Sequence, residues 1–208
     1  MADGPRAPGR DEAWALLCAE TPTEALRTHA LAVEAVMRHF APRYGGDPDR
    51  WGVVGLVHDL DYDRHPAEHC QHTPRLLRAA GWPEELIRAV LSHGWGTCTD
   101  VEPRSDMERV LFAVDELTGL IAATALVRPS RSVLDTSVAS FRKKYKNPRF
   151  LARVARALTA RGADHLGLAG YADEAALEQL HGDVQAGLAA ERGEHRVGLL
   201  ALDDRSEH

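Results

Sequence analysis

One apolar segment, residues 53–60, constrains the fold more than any other part of the sequence. It reads VVGLVHDL and follows Asp47-Pro48, a pair typical of a helix start because Asp can cap the helix and Pro suits its first turn. A helix that is apolar almost all round must be buried in the protein. This one nevertheless ends in His58 and Asp59, and a buried carboxylate needs a cation, a metal or several hydrogen-bond donors.

Helical periodicity extends over most of the chain. Apolar residues recur at spacings of three and four, and no segment alternates apolar and polar residues for long enough to predict a strand. The pattern and its Gly and Pro breaks predict helices over 11–18, 23–40, 48–60, 72–80, 83–93 and 105–127, with further ones near 132–145, 148–160 and 172–191. We therefore expect an all-α fold. A single compact helical bundle would occupy residues 11–191, between a disordered N-terminus (residues 1–10) and a charged C-terminal tail (residues 192–208).

Composition and charge exclude several classes of protein. Three cysteines without a CxxC spacing argue against a disulfide scaffold and against a zinc ribbon or zinc finger. The longest strongly apolar run, residues 120–127, is too short to cross a bilayer, and the first residues lack the pattern of a secretory signal. A net charge of −6 argues against binding of nucleic acid polymers. We therefore expect a cytoplasmic protein without membrane association.

Residues 128–149 differ in charge from the rest of the chain. They carry seven Arg and Lys side chains against a single Asp. Such a segment can form an anion site or a solvated basic helix face. Four of its cations are candidate contacts to a bound anion: Arg128, Arg131, Lys143 and Lys144.

Histidine is enriched in the first half of the chain, where seven of the 11 lie in less than a third of its length. His29 lies on the inward face of its predicted helix, and Asp115 borders the apolar face of another. With His58 and Asp59, polar groups thus stand at buried positions of three separate helices. Imidazole and carboxylate are suitable ligands for a divalent metal. The three helices are therefore predicted to converge on one metal site.

The ordered set His29, His58-Asp59 and Asp115 resembles the signature of the HD-domain superfamily of metal-dependent hydrolases. The resemblance covers about residues 23–127. Four segments also resemble a bacterial subgroup of predicted HD hydrolases, and that similarity extends to about Lys146: LRTHALAVEAVM, WGVVGLVHDLDYD, AVLSHG and LFAVDELTGLIAATALVRPS. It implies an HD-domain helical bundle that holds a divalent transition metal: Fe, Mn, Co or Zn, with Mg as a further option.

The resemblance also implies which residues bind metal. The first ligands would be those of the signature itself: His29, His58, Asp59 and Asp115. Asp59 would bridge two ions in a dinuclear site, which we favour over a site with one ion. Two further histidines would complete a dinuclear site, and His72 and His93 fall at suitable places. His69 and Cys70 compete with His72 as ligands, because they lie in the same loop.

Together these features predict a metal-dependent phosphohydrolase. It would cleave a phosphate ester of a small metabolite or nucleotide by attack of a metal-activated water. Asp59 and Asp61 are the candidate catalytic residues, and Tyr62 is a candidate substrate contact beside the four cations. Two alternatives share the ligand set: a di-iron oxygenase that cleaves a C–C or C–P bond, and a non-catalytic binding module that retains the metal. The apolar helix over 172–191 could pack within the domain or in a homodimer.

Overall fold

The computed structural model describes residues 8–126, together with residues 137, 139, 140, 143 and 182–186. Residues 8–126 contain six α-helices, namely α1 (Arg10–Glu20), α2 (Glu24–Phe40), α3 (Pro48–Leu56), α4 (Thr73–Ala79), α5 (Glu84–Ser92) and α6 (Asp106–Leu126). Short 3-10 helices occupy Ala41–Tyr44 and Pro66–Glu68. The described residues contain no β-strand and a single isolated bridge, Trp95 with Thr99. The prediction of an all-α fold is confirmed.

Several predictions concern the ends of the chain. The predicted helices near 132–145, 148–160 and 172–191 and the tail over 192–208 lie outside the described residues, apart from the few positions named above. Residues 182–186 are helical. Helix α1 begins one residue before its predicted start, and residues 1–7 are outside the described part. Where the structure describes the chain, no helix is both long enough and apolar enough to cross a membrane.

Helix α3 lies in the core, and all residues of Trp51–Leu56 are buried. Its start follows the predicted pattern, because Asp47 Oδ1 accepts a hydrogen bond from the Arg50 amide at 2.9 Å. Gly55 allows α3 to approach α2 closely, since a Cβ there would lie 2.9 Å from Met37 Cγ. This close packing brings the end of α3 against α2, the helix that carries the first predicted ligand.

Helix α3 ends at Leu56, four residues before its predicted end, and the chain continues as turns to Arg64. The His58 side chain offers a reason for this difference. Its Nδ1 donates to the carbonyl oxygen of Gly55 at 2.7 Å. In a continued helix that carbonyl would accept the amide of Asp59 instead. The His-Asp pair therefore lies in the turn after the helix rather than in its last turn.

Helix α6 begins at the capping box that the sequence S-x-x-E predicts. The Ser105 hydroxyl accepts from the Glu108 amide at 3.3 Å, and Glu108 Oε2 accepts from the Ser105 amide at 2.9 Å. The apolar face of α6 packs against α2 and α5. Its fully buried residues include Val110, Leu111, Val114, Leu117 and Ile121. This packing turns Asp115, at the border of the apolar face, toward α2.

Candidate metal centre

Four side chains from three parts of the fold meet at one point. His29 comes from α2, His58 and Asp59 from the turn after α3, and Asp115 from α6. Asp115 Oδ1 lies 3.0 Å from His29 Nε2 and 3.2 Å from His58 Nε2. Asp59 Oδ2 lies 3.3 Å from His58 Nε2. We refer to these four residues as site A. The structure thus brings together the four residues of the predicted signature.

The orientation of His58 shows what site A can bind. The fully buried His58 ring donates from Nδ1 to Gly55, so in the neutral imidazole its Nε2 presents a lone pair to site A. This His58 Nε2 faces carboxylate oxygens of Asp59 and Asp115, and it lies 3.2 Å from Nε2 of His29. Acceptors that face one another at such distances need a cation or protons between them. Two imidazoles and two carboxylates are a suitable donor set for a divalent metal.

A second group of donors lies on the other side of Asp59. His69 Nε2 and His93 Nε2 are 3.0 Å apart, and Asp59 Oδ1 lies 3.3 Å from the first and 3.4 Å from the second. His93 Nδ1 donates to the carbonyl oxygen of Val90 at 2.5 Å, which leaves its Nε2 to face His69 and Asp59. We refer to Asp59, His69 and His93 as site B.

Asp59 connects the two sites through its two carboxylate oxygens. Oδ2 faces His58 of site A, and Oδ1 faces His69 and His93 of site B. Site A offers two imidazoles and site B offers two more. Each group with its Asp59 oxygen can hold one ion, so the arrangement accommodates the dinuclear site that the sequence favoured.

Asp61 was predicted as a catalytic residue, and its surroundings suit a different role. Its side chain is buried and accepts four hydrogen bonds, from His69 Nδ1 at 2.9 Å and from the amides of Cys70, His72 and Thr73 at 2.9–3.0 Å. Burial opposes ionisation, but these donors outweigh it and hold the pKa of Asp61 far below its ordinary value. A carboxylate with its oxygens so occupied is a weak base. This geometry favours a positioning role in which Asp61 orients His69, and the catalytic role of Asp61 stays a prediction.

His72 was predicted as a ligand, but the structure brings His69 to Asp59 in its place. His72 stands at the residue before α4, and its Nε2 lies 2.7 Å from Glu68 Oε2. Its ring stacks on His65 with the centroids 3.9 Å apart. The amide of His72 is bound to Asp61, and the side chain turns away from site B into this separate group. The geometry thus favours His69 over His72. Cys70, the other competing residue, has its Sγ 3.9 Å from His93 Nε2, so its role as a ligand stays an open prediction.

The predicted substrate contacts are placed only in part. Tyr62 is 42% exposed, and its ring meets the His69 ring edge-on at 5.1 Å between centroids. It therefore lies at the margin of site B, within reach of a molecule bound there. Lys143 is exposed and helical. The other three cations, Arg128, Arg131 and Lys144, lie outside the described residues.

The carboxylates attract positive charge into both sites. Burial alone lowers the pKa of His58, but the charges of Asp59 and Asp115 raise it well above its ordinary value. Burial likewise opposes protonation of His69, whereas its hydrogen bonds to Asp59 and Asp61 raise its pKa to about 10. The same interactions with His58 hold the pKa of Asp59 and Asp115 well below their usual range, against the effect of burial. The centre is thus preorganised for cations.

A sequence signal pointed away from His72. The pair Thr73-Pro74 is typical of a helix start, which places His72 at the capping position outside the helix. His69 carries no such signal, because it lies in an irregular turn between Pro66–Glu68 and α4. Only the hydrogen bond that its Nδ1 donates to Asp61 identifies it as the inward-facing histidine.

Comparison with known proteins agrees with this geometry. Residues 26–120 match the family model described as HD domain, and this range includes every residue of sites A and B. This match covers 95 of the 208 residues and is consistent with the HD-domain superfamily, whose members are generally metal-dependent hydrolases. A search of curated proteins and a search of solved structures each found no match.

Proposed function

We propose that the chain is a metal-dependent phosphohydrolase that cleaves a phosphate ester of a small metabolite or nucleotide. The observation that carries this proposal is the placement of the two Asp59 oxygens, each directed at a separate group of imidazoles. One carboxylate between two groups of donors is the arrangement expected for a pair of ions that share a ligand. The HD-domain match supports the same class of chemistry.

The chain's own residues fix where the ions would lie. His29, His58 and Asp115 would hold the ion of site A, and His69 and His93 that of site B. Three of these imidazoles donate their Nδ1 protons to fixed acceptors, the carbonyls of residues 55 and 90 and the carboxylate of residue 61. Such donation fixes the tautomer and the direction of each ring. When bound, a pair of divalent ions would polarise the phosphate and lower the pKa of a nucleophilic water.

The substrate would approach the centre beside Tyr62, the exposed aromatic side chain at the margin of site B. We propose that the partner is a small phosphorylated molecule rather than a nucleic acid polymer, in keeping with the net charge of −6. Such a substrate also suits an enzyme of the cytoplasm. Lys143 and the three cations outside the described residues are proposed to contact the phosphate.

Metal content and phosphate release together test the proposal. The full chain is purified without oxygen, loaded with Mn²⁺, Co²⁺, Fe²⁺ or Mg²⁺, and assayed for phosphate release from a panel of phosphate monoesters and nucleotides. We expect release only with added metal, and its loss in Asp59→Asn, which lacks the carboxylate shared by the two sites. Asp49→Asn is the matched control, because Asp49 lies on α3 with its side chain 82% exposed and should leave the activity unchanged.

Two results would contradict the proposal. Oxygen consumption without phosphate release would indicate the di-iron oxygenase instead. A protein that takes up no metal, and whose stability does not change on addition of these ions, would indicate a centre held by protons alone.

A further inference from the structure

Two cysteines lie side by side next to site B. The Sγ atoms of Cys70 and Cys98 are 2.9 Å apart, and both cysteines are free. A disulfide bond is about 2.05 Å long, so closing the bond needs a shift of only about 1 Å. Cys70 follows His69 directly, and Cys98 lies five residues after His93 in the loop that leaves α5. The pair therefore bridges the two segments that carry the histidines of site B.

The backbone holds Cys98 in this position. The amides of Thr97, Cys98 and Thr99 all donate to the carbonyl oxygen of Gly94 at 3.0 Å. Gly94 also leaves the space that both sulfurs occupy. A Cβ at this position would lie 2.2 Å from Cys98 Sγ and 3.1 Å from Cys70 Sγ. The short distance between the two sulfurs therefore follows from the backbone of the loop and does not depend on one side-chain rotamer alone.

Cys70 is held in an unusual backbone conformation. Its φ is 69°, and it is the one non-glycine residue with a positive φ in the part of the chain that the structure describes. Cysteine has no special preference for this region, so the conformation costs free energy that the surroundings must offset. The hydrogen bond from the Cys70 amide to Asp61 Oδ1, at 3.0 Å, contributes to that offset. In this conformation the Cys70 sulfur lies 2.9 Å from that of Cys98.

The two thiols differ in access to solvent. Cys70 is 4% exposed, whereas Cys98 is half-buried and lines a surface depression of about 290 Å³ formed by residues 96–100. A small molecule can therefore reach Cys98 but not Cys70. This asymmetry is typical of a pair in which one thiol reacts with an external disulfide and the other resolves the product.

We propose that Cys98 is a site of thiol–disulfide exchange with low-molecular-weight disulfides, and that Cys70 is its resolving thiol. The Cys98 thiolate attacks one sulfur of a disulfide RSSR, whose S–S bond breaks and releases one thiol. The Cys70 thiolate then attacks Cys98 Sγ in the mixed disulfide and releases the second thiol. One RSSR is reduced to two RSH, the two cysteines supply the two protons, and the Cys70–Cys98 disulfide is formed. This inference does not depend on the hydrolase activity.

Oxidised glutathione is the probe for the test. The full chain, with its metal content unchanged, is incubated with this disulfide at about pH 8, close to the ordinary pKa of a thiol. Free thiols are then alkylated, and intact mass and peptide mapping locate the products. We expect the wild-type mass before alkylation to fall by two hydrogen atoms, a linked Cys70–Cys98 peptide, and a single alkylated cysteine, Cys18.

The variants assign the roles of the two thiols. Cys70→Ser should retain a glutathione adduct on Cys98, because the resolving thiol is missing. Cys98→Ser should form neither a disulfide nor an adduct, because Cys70 is buried. Cys18→Ser is the matched control and should give the same disulfide as the wild type. Circular dichroism confirms that each variant is folded.

Three outcomes overturn the proposal. The wild-type chain keeps a glutathione adduct on Cys98, it does not react with oxidised glutathione, or it forms a disulfide that includes Cys18. All three are read from the wild-type chain, so the proposal stays testable even if a variant does not fold.

Discussion

Asp61 Oδ1 accepts a hydrogen bond from His69 Nδ1 at 2.9 Å, and this bond directs His69 Nε2 at Asp59 Oδ1, 3.3 Å away. The carboxylate two positions after the His-Asp pair therefore acts on site B through another residue. It also holds the turn that follows, because its oxygens accept three backbone amides. One buried side chain thus determines both the course of the loop and the position of a ligand.

Replacement of Asp61 should weaken site B and the fold together. In Asp61→Asn the amide group cannot accept all four hydrogen bonds, and we expect a loss of about 1–3 kcal/mol in the free energy of unfolding. Metal binding at site B should weaken by about 10- to 100-fold, as for other residues that orient a ligand. Chemical denaturation and metal titration measure the two effects.

The matched control for Asp61 is Asp63→Asn. Asp63 caps the start of α2 by accepting the amide and hydroxyl of Thr23 at 2.7 and 2.9 Å, away from His69. Its loss should lower stability without changing metal affinity. Equal metal binding by the wild type and Asp61→Asn would show that His69 does not need this orientation.

His69 and His72 should differ in their effect on metal content. We expect His69→Ala to lose about one of two bound ions, because site B would keep only one imidazole. His72→Ala should retain both, because its ring faces Glu68 and His65. The amount of Mn²⁺ per chain, measured by mass spectrometry after loading and desalting, distinguishes the two variants. Loss of metal in His72→Ala with full occupancy in His69→Ala would reverse the assignment of site B.

Gly55 should be required for the packing of α3 against α2. In Gly55→Ala the new methyl group would lie 2.9 Å from Met37 Cγ and 3.0 Å from the carbonyl oxygen of Val33. We expect a loss of about 1–3 kcal/mol of unfolding free energy, which is typical of an overpacked core. Thermal denaturation measures it.

Gly182→Ala is the matched control for Gly55, because Gly182 is helical and no atom of the described residues lies within 4 Å of a Cβ there. That variant should be as stable as the wild type or more stable by about 0.5–1 kcal/mol. If Gly55→Ala unfolds at the same temperature as the wild type, α2 and α3 can move apart at little cost in free energy, which would contradict the prediction.

Because of Glu108, the free energy of unfolding should depend on pH in the acid range. Its carboxylate accepts the amides of Arg104 and Ser105 and pairs with Arg88, and these interactions outweigh burial and lower its pKa below the ordinary 4.5. The unfolded chain therefore binds a proton at a higher pH than the folded chain does. The stabilisation by ionised Glu108 is fully present above pH 4.5, the ordinary pKa of the unfolded chain. It declines as the pH falls further and is lost once the pH passes the lower pKa of the folded chain.

We therefore expect Glu108→Gln to be about 1–3 kcal/mol less stable than the wild type at neutral pH. The difference should shrink below pH 4.5. Urea denaturation at several pH values measures it. Glu85→Gln serves as the control, because Glu85 belongs to an exposed ion pair with Arg50 that contributes little to stability. A constant difference between Glu108→Gln and the wild type across the acid range would contradict the prediction.

Much of the fold was predictable, because the spacing of apolar residues in a helix shows which face is buried. The spacing of apolar residues placed α2, α3 and α6, and it put His29 and Asp115 at the inner borders of their helices. The end of α3 was not predictable in this way. The imidazole of His58 donates to the Gly55 carbonyl oxygen, which in a continued helix would accept a backbone amide. Hydrophobic periodicity does not reveal a side chain that competes with the helix for a hydrogen bond.

The sequence by itself determined the class of fold and the four residues of site A, because these residues lie in or directly after helices whose periodicity defines an inside and an outside. Only the tertiary structure decided the rest of the centre. It placed His69 rather than His72 beside Asp59, surrounded Asp61 with four hydrogen-bond donors and directed the second oxygen of Asp59 at His93. The physical reason is that the loop after α3 has no repeating backbone geometry. The directions of its side chains follow from hydrogen bonds that exist only once the chain has folded.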